Sequence, residues 1–256
     1  MLKKLIKYDL IWINKLMLIY FTISFIICIL TRIMSNFSSS FIGNIIYIIL
    51  KSCAISCYVS ILINCIIRIW VRFKNNTYKD ESYLTHTLPV TKNTLYNSKI
   101  ISSIISILIS LFMILISFII AFLDKPILEY IKNIFNNNLF ILVSIIIIAI
   151  LEVLYMMNSG IIGILLGHKS NNQRIFKSIL IGIILYFTIQ IIIIGIIYLL
   201  GLFNNDIGII FKSNIFIDNV KIIKQLMIIV SIIYLIFNTT MYYIGKIIFN
   251  KGINVD

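Results

Sequence analysis

The chain has 256 residues, 61% of them hydrophobic and 12% charged, with a mean hydropathy of +1.06. A soluble domain of that composition would expose far too much apolar surface, so the composition excludes one and requires an integral membrane protein. The formal net charge of +13 would suggest nucleic acid in a soluble chain; here the basic residues are scattered over separate loops, which argues against nucleic acid and suits cytoplasmic loops and anionic headgroups.

The chain opens M-L-K-K-L-I-K-Y-D-L-I-W-I-N-K. At helical periodicity Lys3, Lys4, Lys7 and Lys15 share one face, and Leu2, Leu5, Ile6, Trp12 and Ile13 share the other. This predicts an N-terminal amphipathic helix in the headgroup layer, or else the basic flank of the first span. Asp9 breaks the pattern on the apolar side and either pairs with a lysine or faces protein. A bilayer span needs about 20 mostly apolar residues. Six segments meet that need: residues 16–34, 44–70, 101–123, 139–166, 178–203 and 226–247. The fold class read from them is an all-α polytopic membrane protein, one transmembrane domain over residues 1–256.

Between the spans, Ser35–Ser40 reads as a polar turn and residues 71–100 as a long loop. Pro126 ends the third span, and a short loop with Asn136–Asn138 leads to the fourth. Gly163 and Gly167 form a small-xxx-small pair that permits close helix approach. His168–Lys177 is a basic loop. Residues 204–225 mix apolar and polar residues and suit short elements at the outer leaflet. With six spans, fifteen lysines and arginines fall on the side of the termini and six on the other. That bias places both termini and the loop 71–100 in the cytoplasm.

Intramembrane ionisable residues are functional candidates because burying a charge there is costly. Glu152 lies deep in the fourth span, and Lys51 lies in the outer half of the second, where it can snorkel. They are placed to pair across the bundle. For Glu152 two readings stand: a polar point on a substrate path, or a neutral carboxyl hydrogen-bonded inside the bundle. Cys28, Cys53, Cys57 and Cys65 all lie in apolar runs without His or carboxylate neighbours and read as packing residues. The two histidines, His86 and His168, sit in separate loops. No metalloprotease, intramembrane-protease or phosphate-loop motif is present, so neither catalysis nor a cofactor is expected.

The loop holds the one elaborate polar segment, E-S-Y-L-T-H-T-L-P-V-T-K. Asn75–Lys79 reads as a polar turn. Asp80, Glu81 and Ser82 suit a helix start, where acids complement the dipole. Tyr83, Leu84, Thr87 and Leu88 line one side of a short helix that ends before Pro89-Val90. Thr91 or Asn93 is then placed to cap the stretch that leads into the third span. This block resembles the loop between the second and third spans of ABC-2 type transporter permeases, as does the whole-chain layout. Many members have Gly-Lys entering the third span, where this chain has Ser98-Lys99. The resemblance implies that Asp80–Val90 is a coupling helix docking a separate ABC ATPase subunit. It also implies a second permease subunit, identical or related, and export of an amphipathic, lipid-like or peptide cargo across a bacterial cytoplasmic membrane. Two rivals are a six-span substrate-binding subunit of an energy-coupling-factor importer, whose alanine motifs are not found here, and an unrecognised intramembrane enzyme.

Overall fold

The computed structural model describes residues 1–79, 81–122, 125–170, 172–203, 208 and 220–251, and for residues 86 and 125–138 the backbone alone. Its elements are helices: α1 Leu2–Ser35, α2 Phe41–Tyr78, α3 Glu81–Thr87, α4 Lys92–Phe122, α5 Lys125–Gly167, α6 Arg174–Phe203 and α7 Val220–Asn250. Among the described residues six are long and apolar enough to cross a membrane, namely α1, α2, α4, Leu139–Gly167 of α5, α6 and α7. The protein is a polytopic all-α membrane protein.

Several boundaries differ from those expected. The basic lead is not a separate element, because Leu2–Ser35 is one uninterrupted helix. At about 1.5 Å per residue it is roughly 50 Å long, well beyond a hydrocarbon core of about 30 Å. Asn75–Tyr78 is the last turn of α2, not a free turn: Thr77 returns its hydroxyl to the Phe73 carbonyl, and Asn76 is buried. The backbone from Lys125 onward is helical, so Asn136–Asn138 lies within α5. Pro126 falls in that helix's first turn, where its missing N–H leaves no intrahelical bond unmade. Most of 204–225, the tail 252–256, Asp80 and the His86 side chain lie outside the described residues; Val220–Gln225 forms the start of α7. The turn Asn36–Ser40 is as expected, with Ser40 Oγ accepting from the Gly43 N–H at 3.1 Å to cap α2.

The chain divides into two compact units, essentially residues 1–132 and 133–254. In the first, α1 packs against both α2 and α4. Each contributes a single buried stripe. On α1 it runs Asp9, Ile13, Met17, Phe21, Ser24, Cys28 and Thr31. On α2 it includes Ala54, Tyr58, Ile61, Cys65, Ile69, Phe73 and Asn76, and on α4 it passes through Lys99, Ser102, Ser103, Ser106 and Ser110. Spacings of three and four keep each stripe on one face. Lipid is as apolar as the helices, so contact between them is driven by close packing, which small serines and cysteines favour.

The second unit has an aromatic–aliphatic core built on Tyr155, Ile162, Ile189, Ile193, Tyr234 and Met241. The small-xxx-small pair finds its partner at the start of α6. A Cβ on Gly163 would lie 2.5 Å from the Ser178 carbonyl oxygen and 2.9 Å from the Gly182 nitrogen, and one on Gly167 would collide with Ser178. The atoms facing Gly163 are backbone and cannot yield. Gly163→Ala should therefore lower stability by about 1–3 kcal/mol despite its better helix propensity. Gly195→Ala, with nothing within 4 Å of the added carbon, should be neutral or better. Thermal unfolding of the two variants in detergent checks the contrast; equal melting would refute the packing account.

Candidate functional site

The buried stripes of the first unit all end in polar residues at the same end of the bundle, and those residues meet. Asp9, 2% exposed, accepts from Lys99 Nζ at 2.7 and 2.8 Å and from Arg72 Nε at 2.9 Å. Asn76 Nδ2 adds a third donor at 3.3 Å. Asp9 therefore faces protein, and its lysine partner comes from α4 rather than from the N-terminal lysines, which stay exposed. Arg72 has a second carboxylate, donating from Nη1 to Glu81 Oε2 at 2.7 Å. Above it the Trp12 ring lies 4.0 Å from the Arg68 guanidinium and 5.2 Å from that of Arg72.

This cluster positions α3. Glu81 opens the helix and hangs on Arg72, while Ser82 turns inward and is buried. Ser82 N–H donates to the Lys79 carbonyl at 2.7 Å, and Thr85 returns its hydroxyl to the Glu81 carbonyl. The opposite side is open: Tyr83 is 75% and Leu84 74% exposed, with Thr87, Leu88 and Pro89 also exposed and Val90 half-buried. Thr91 is the cap of α4, its Oγ1 accepting from the Thr94 N–H at 3.4 Å. Ser98 is fully buried, so a small residue meets a packing need there. The Glu81 side chain is half exposed, which makes its bond to Arg72 a weak tether, at most about 1 kcal/mol, that orients the helix more than it stabilises it.

A second polar constellation occupies the second unit. Glu152 Oε1 accepts from the Tyr186 hydroxyl at 3.1 Å and, more loosely, from Gln190 Nε2 at 3.5 Å. Gln190 also donates to the Tyr234 hydroxyl at 3.0 Å. Asn158 donates to Asn238 Oδ1 at 3.0 Å, and Asn238 donates to the Leu151 and Tyr234 carbonyls. Glu152, Gln190 and Tyr234 each lie within about one turn of the middle of its own span, so the layer is at mid-membrane depth. Sequence reasoning found Glu152 but not its partners. The available signal was Gln190, a lone amide in an isoleucine run, four residues after Tyr186. Lys51 is in the first unit, exposed, with Nζ 5.9 Å from the Tyr47 ring and 5.6 Å from the Phe122 ring. Those π-faces stabilise a cation that lipid does not solvate.

Of the remaining residues singled out by sequence, Cys28 bonds the Tyr58 hydroxyl at 3.1 Å, and Cys28 and Cys65 are buried packing residues, whereas Cys53 is exposed. His168 is buried, its Nδ1 2.9 Å from the Ile164 carbonyl and 3.3 Å from Ser178 Oγ, so it braces the α5–α6 turn. No family model matches the chain, and comparison with curated proteins and with solved structures returns no match.

Removing one partner of a buried pair strands the other charge. Asp9→Ala should cost about 3–5 kcal/mol, and Asp9→Ala combined with Lys99→Met should recover much of the loss. Denaturant unfolding in micelles reads this cycle, and additive losses would show that the two residues do not act as a pair. In the second unit, Glu152→Leu should cost about 1–3 kcal/mol by leaving two donors without an acceptor, while Glu152→Gln keeps an acceptor oxygen and should cost less. Equal melting temperatures for these two variants would mean that the carboxylate is not the acceptor of this network.

Proposed function

We propose that this chain is the membrane-spanning subunit of an ABC-2 type exporter and that α3 is the surface on which a separate ATPase subunit docks. The observation that carries the reading is α3 itself. It is a seven-residue helix between the second and third spanning helices, tied on one side by Glu81 to Arg72 and presenting Tyr83 and Leu84 outward. Two large apolar side chains held out on a polar connection are what a protein partner would cover. The resemblance of E-S-Y-L-T-H-T-L-P-V-T-K to the corresponding permease loop supplies the identity of that partner. The excess of lysine and arginine on the side of α3 supports a cytoplasmic position for it and for both termini.

In this reading ATP closes a pair of nucleotide-binding subunits, which push the coupling helices of two permease subunits. The spans then alternate between inward- and outward-open arrangements. Hydrolysis belongs to the partner, and this chain supplies the path. The mid-membrane layer around Glu152 fits a polar point on that path for an amphipathic, lipid-like or peptide cargo, because a lone acidic residue at that depth is costly to keep without a use. The membrane is then a bacterial cytoplasmic membrane.

Purification of the tagged chain from its own membrane tests the docking surface. A stoichiometric soluble ATPase should accompany the wild-type chain, and Leu84→Asp should remove it while leaving membrane insertion and melting temperature unchanged, since Leu84 touches solvent rather than core. An ATPase that stays with Leu84→Asp, or none with the wild type, would overturn the proposal.

A further inference from the structure

Where α1 and α2 pass from apolar into charged sequence they enclose an open groove of about 550 Å³. Tyr8 and Trp12 line it with Lys15, Arg68 and Arg72, and Ile11 and Leu16 complete its apolar wall. We propose that this groove binds the headgroup of an anionic phospholipid, in the leaflet on the side of α3.

Depth comes first. α1 exceeds the hydrocarbon core by roughly 20 Å, and its polar residues are concentrated before Leu16, so the Tyr8–Leu16 stretch lies at headgroup level. Amphipathic rings such as Trp12 and Tyr8 belong at that level. From Leu16 an exposed apolar track, Ile19, Ile23, Ile26 and Leu30, runs down the same face of α1 toward the bilayer centre. A ligand with a charged head and an aliphatic tail fits both parts. A soluble acidic peptide would fit only the first.

Charge comes second. Arg72 is committed to Asp9 and Glu81, and Lys99 to Asp9. Arg68 has no carboxylate among the described residues. Among the described residues its polar contact is one donation from Nη2 to the Trp12 carbonyl at 3.3 Å, and its buried Nε has no acceptor there. Lys15, exposed beside it, likewise has no described acidic partner. A guanidinium at a membrane boundary with an unfilled buried donor calls for an oxyanion, and a phosphate offers oxygens that match its fork. The Trp12 ring, 4.0 Å from the guanidinium carbon, fixes the plane of that fork.

The purified full chain, without an ATPase, is reconstituted in nanodiscs of phosphatidylcholine with increasing phosphatidylglycerol. Trp12 and Trp70 are the two tryptophans, so Trp70→Phe isolates the groove fluorophore. Bromine-labelled phosphatidylglycerol should quench Trp12 with a preference over bromine-labelled phosphatidylcholine on the order of tenfold, since each basic group near the surface contributes about fivefold. Arg68→Gln should lower the preference by about fivefold or more. Lys15→Gln, a change at an exposed side chain that leaves packing alone, should lower it about fivefold. Inorganic phosphate should not relieve the quenching. Equal quenching by the two lipids, an undiminished preference in Lys15→Gln, or full relief by inorganic phosphate would each overturn the proposal.

Discussion

Asp9 holds its charge inside a helix bundle, on the same stripe that farther down carries Ile13, Met17 and Phe21. A carboxyl group so placed needs cations and donors in place of the water it has lost. Lys99, Arg72 and Asn76 do so, and they come from the other two long helices of the unit. One ion therefore sets the register of three helices at a single point. Arg72 then reaches past Asp9 to Glu81, so the orientation of α3 derives from the same carboxylate. A push on α3 meets Arg72 first, and behind Arg72 stand α1 and α4. α3 is thereby braced by the ends of the spanning helices and not by the connection that carries it.

The two units solve the burial of polar groups differently. The first gathers formal charges at the membrane boundary, where attraction between opposite signs offsets desolvation. The second keeps its polar groups at mid-depth and makes them of hydroxyls and amides around one carboxyl group, with Asn158, Asn238, Gln190 and two tyrosine hydroxyls sharing donors among three helices. Directional bonds of this kind fix rotation about a helix axis, because a turn of one helix removes each donor from its acceptor.

The six spans were legible because hydrophobic length is nearly sufficient to define them. Helix ends were not. The start of α1 could be read as helix from its amphipathic pattern, but the end of α2 projects past the apolar core and looks like loop sequence; the two cover each other, with Trp12 stacked on Arg68 and Asn76 bonded to Asp9. For the last turn of α2 the contacts that cover it are distant in sequence. Asp9 was visible as an exception to the amphipathic pattern, and the exception was the signal, although nothing local pointed to Lys99, ninety positions away. The outward face of α3 could be read because Tyr83, Leu84, Thr87 and Leu88 share a helical side. Of the partners of Glu152, Gln190 left a trace as a lone amide in an isoleucine run, whereas Tyr186 left none, since tyrosine is unremarkable in a membrane helix until its span is brought beside another.

The serines of α4 carry a further consequence. Ser102 and Ser103 return their hydroxyls to Lys99, Ser110 to Ser106 and Ser117 to Met113, all within their own helix. Most of the hydroxyl bonds on this buried face thus stay within the helix, which keeps the face narrow, and Ser110 also meets a neighbour, Cys65 of α2. At the far end the same three helices meet again, Cys28 of α1 against Ala54 and Tyr58 of α2 and Ala121 and Phe122 of α4, so the narrow stretch lies between an ionic fastening and an aromatic one.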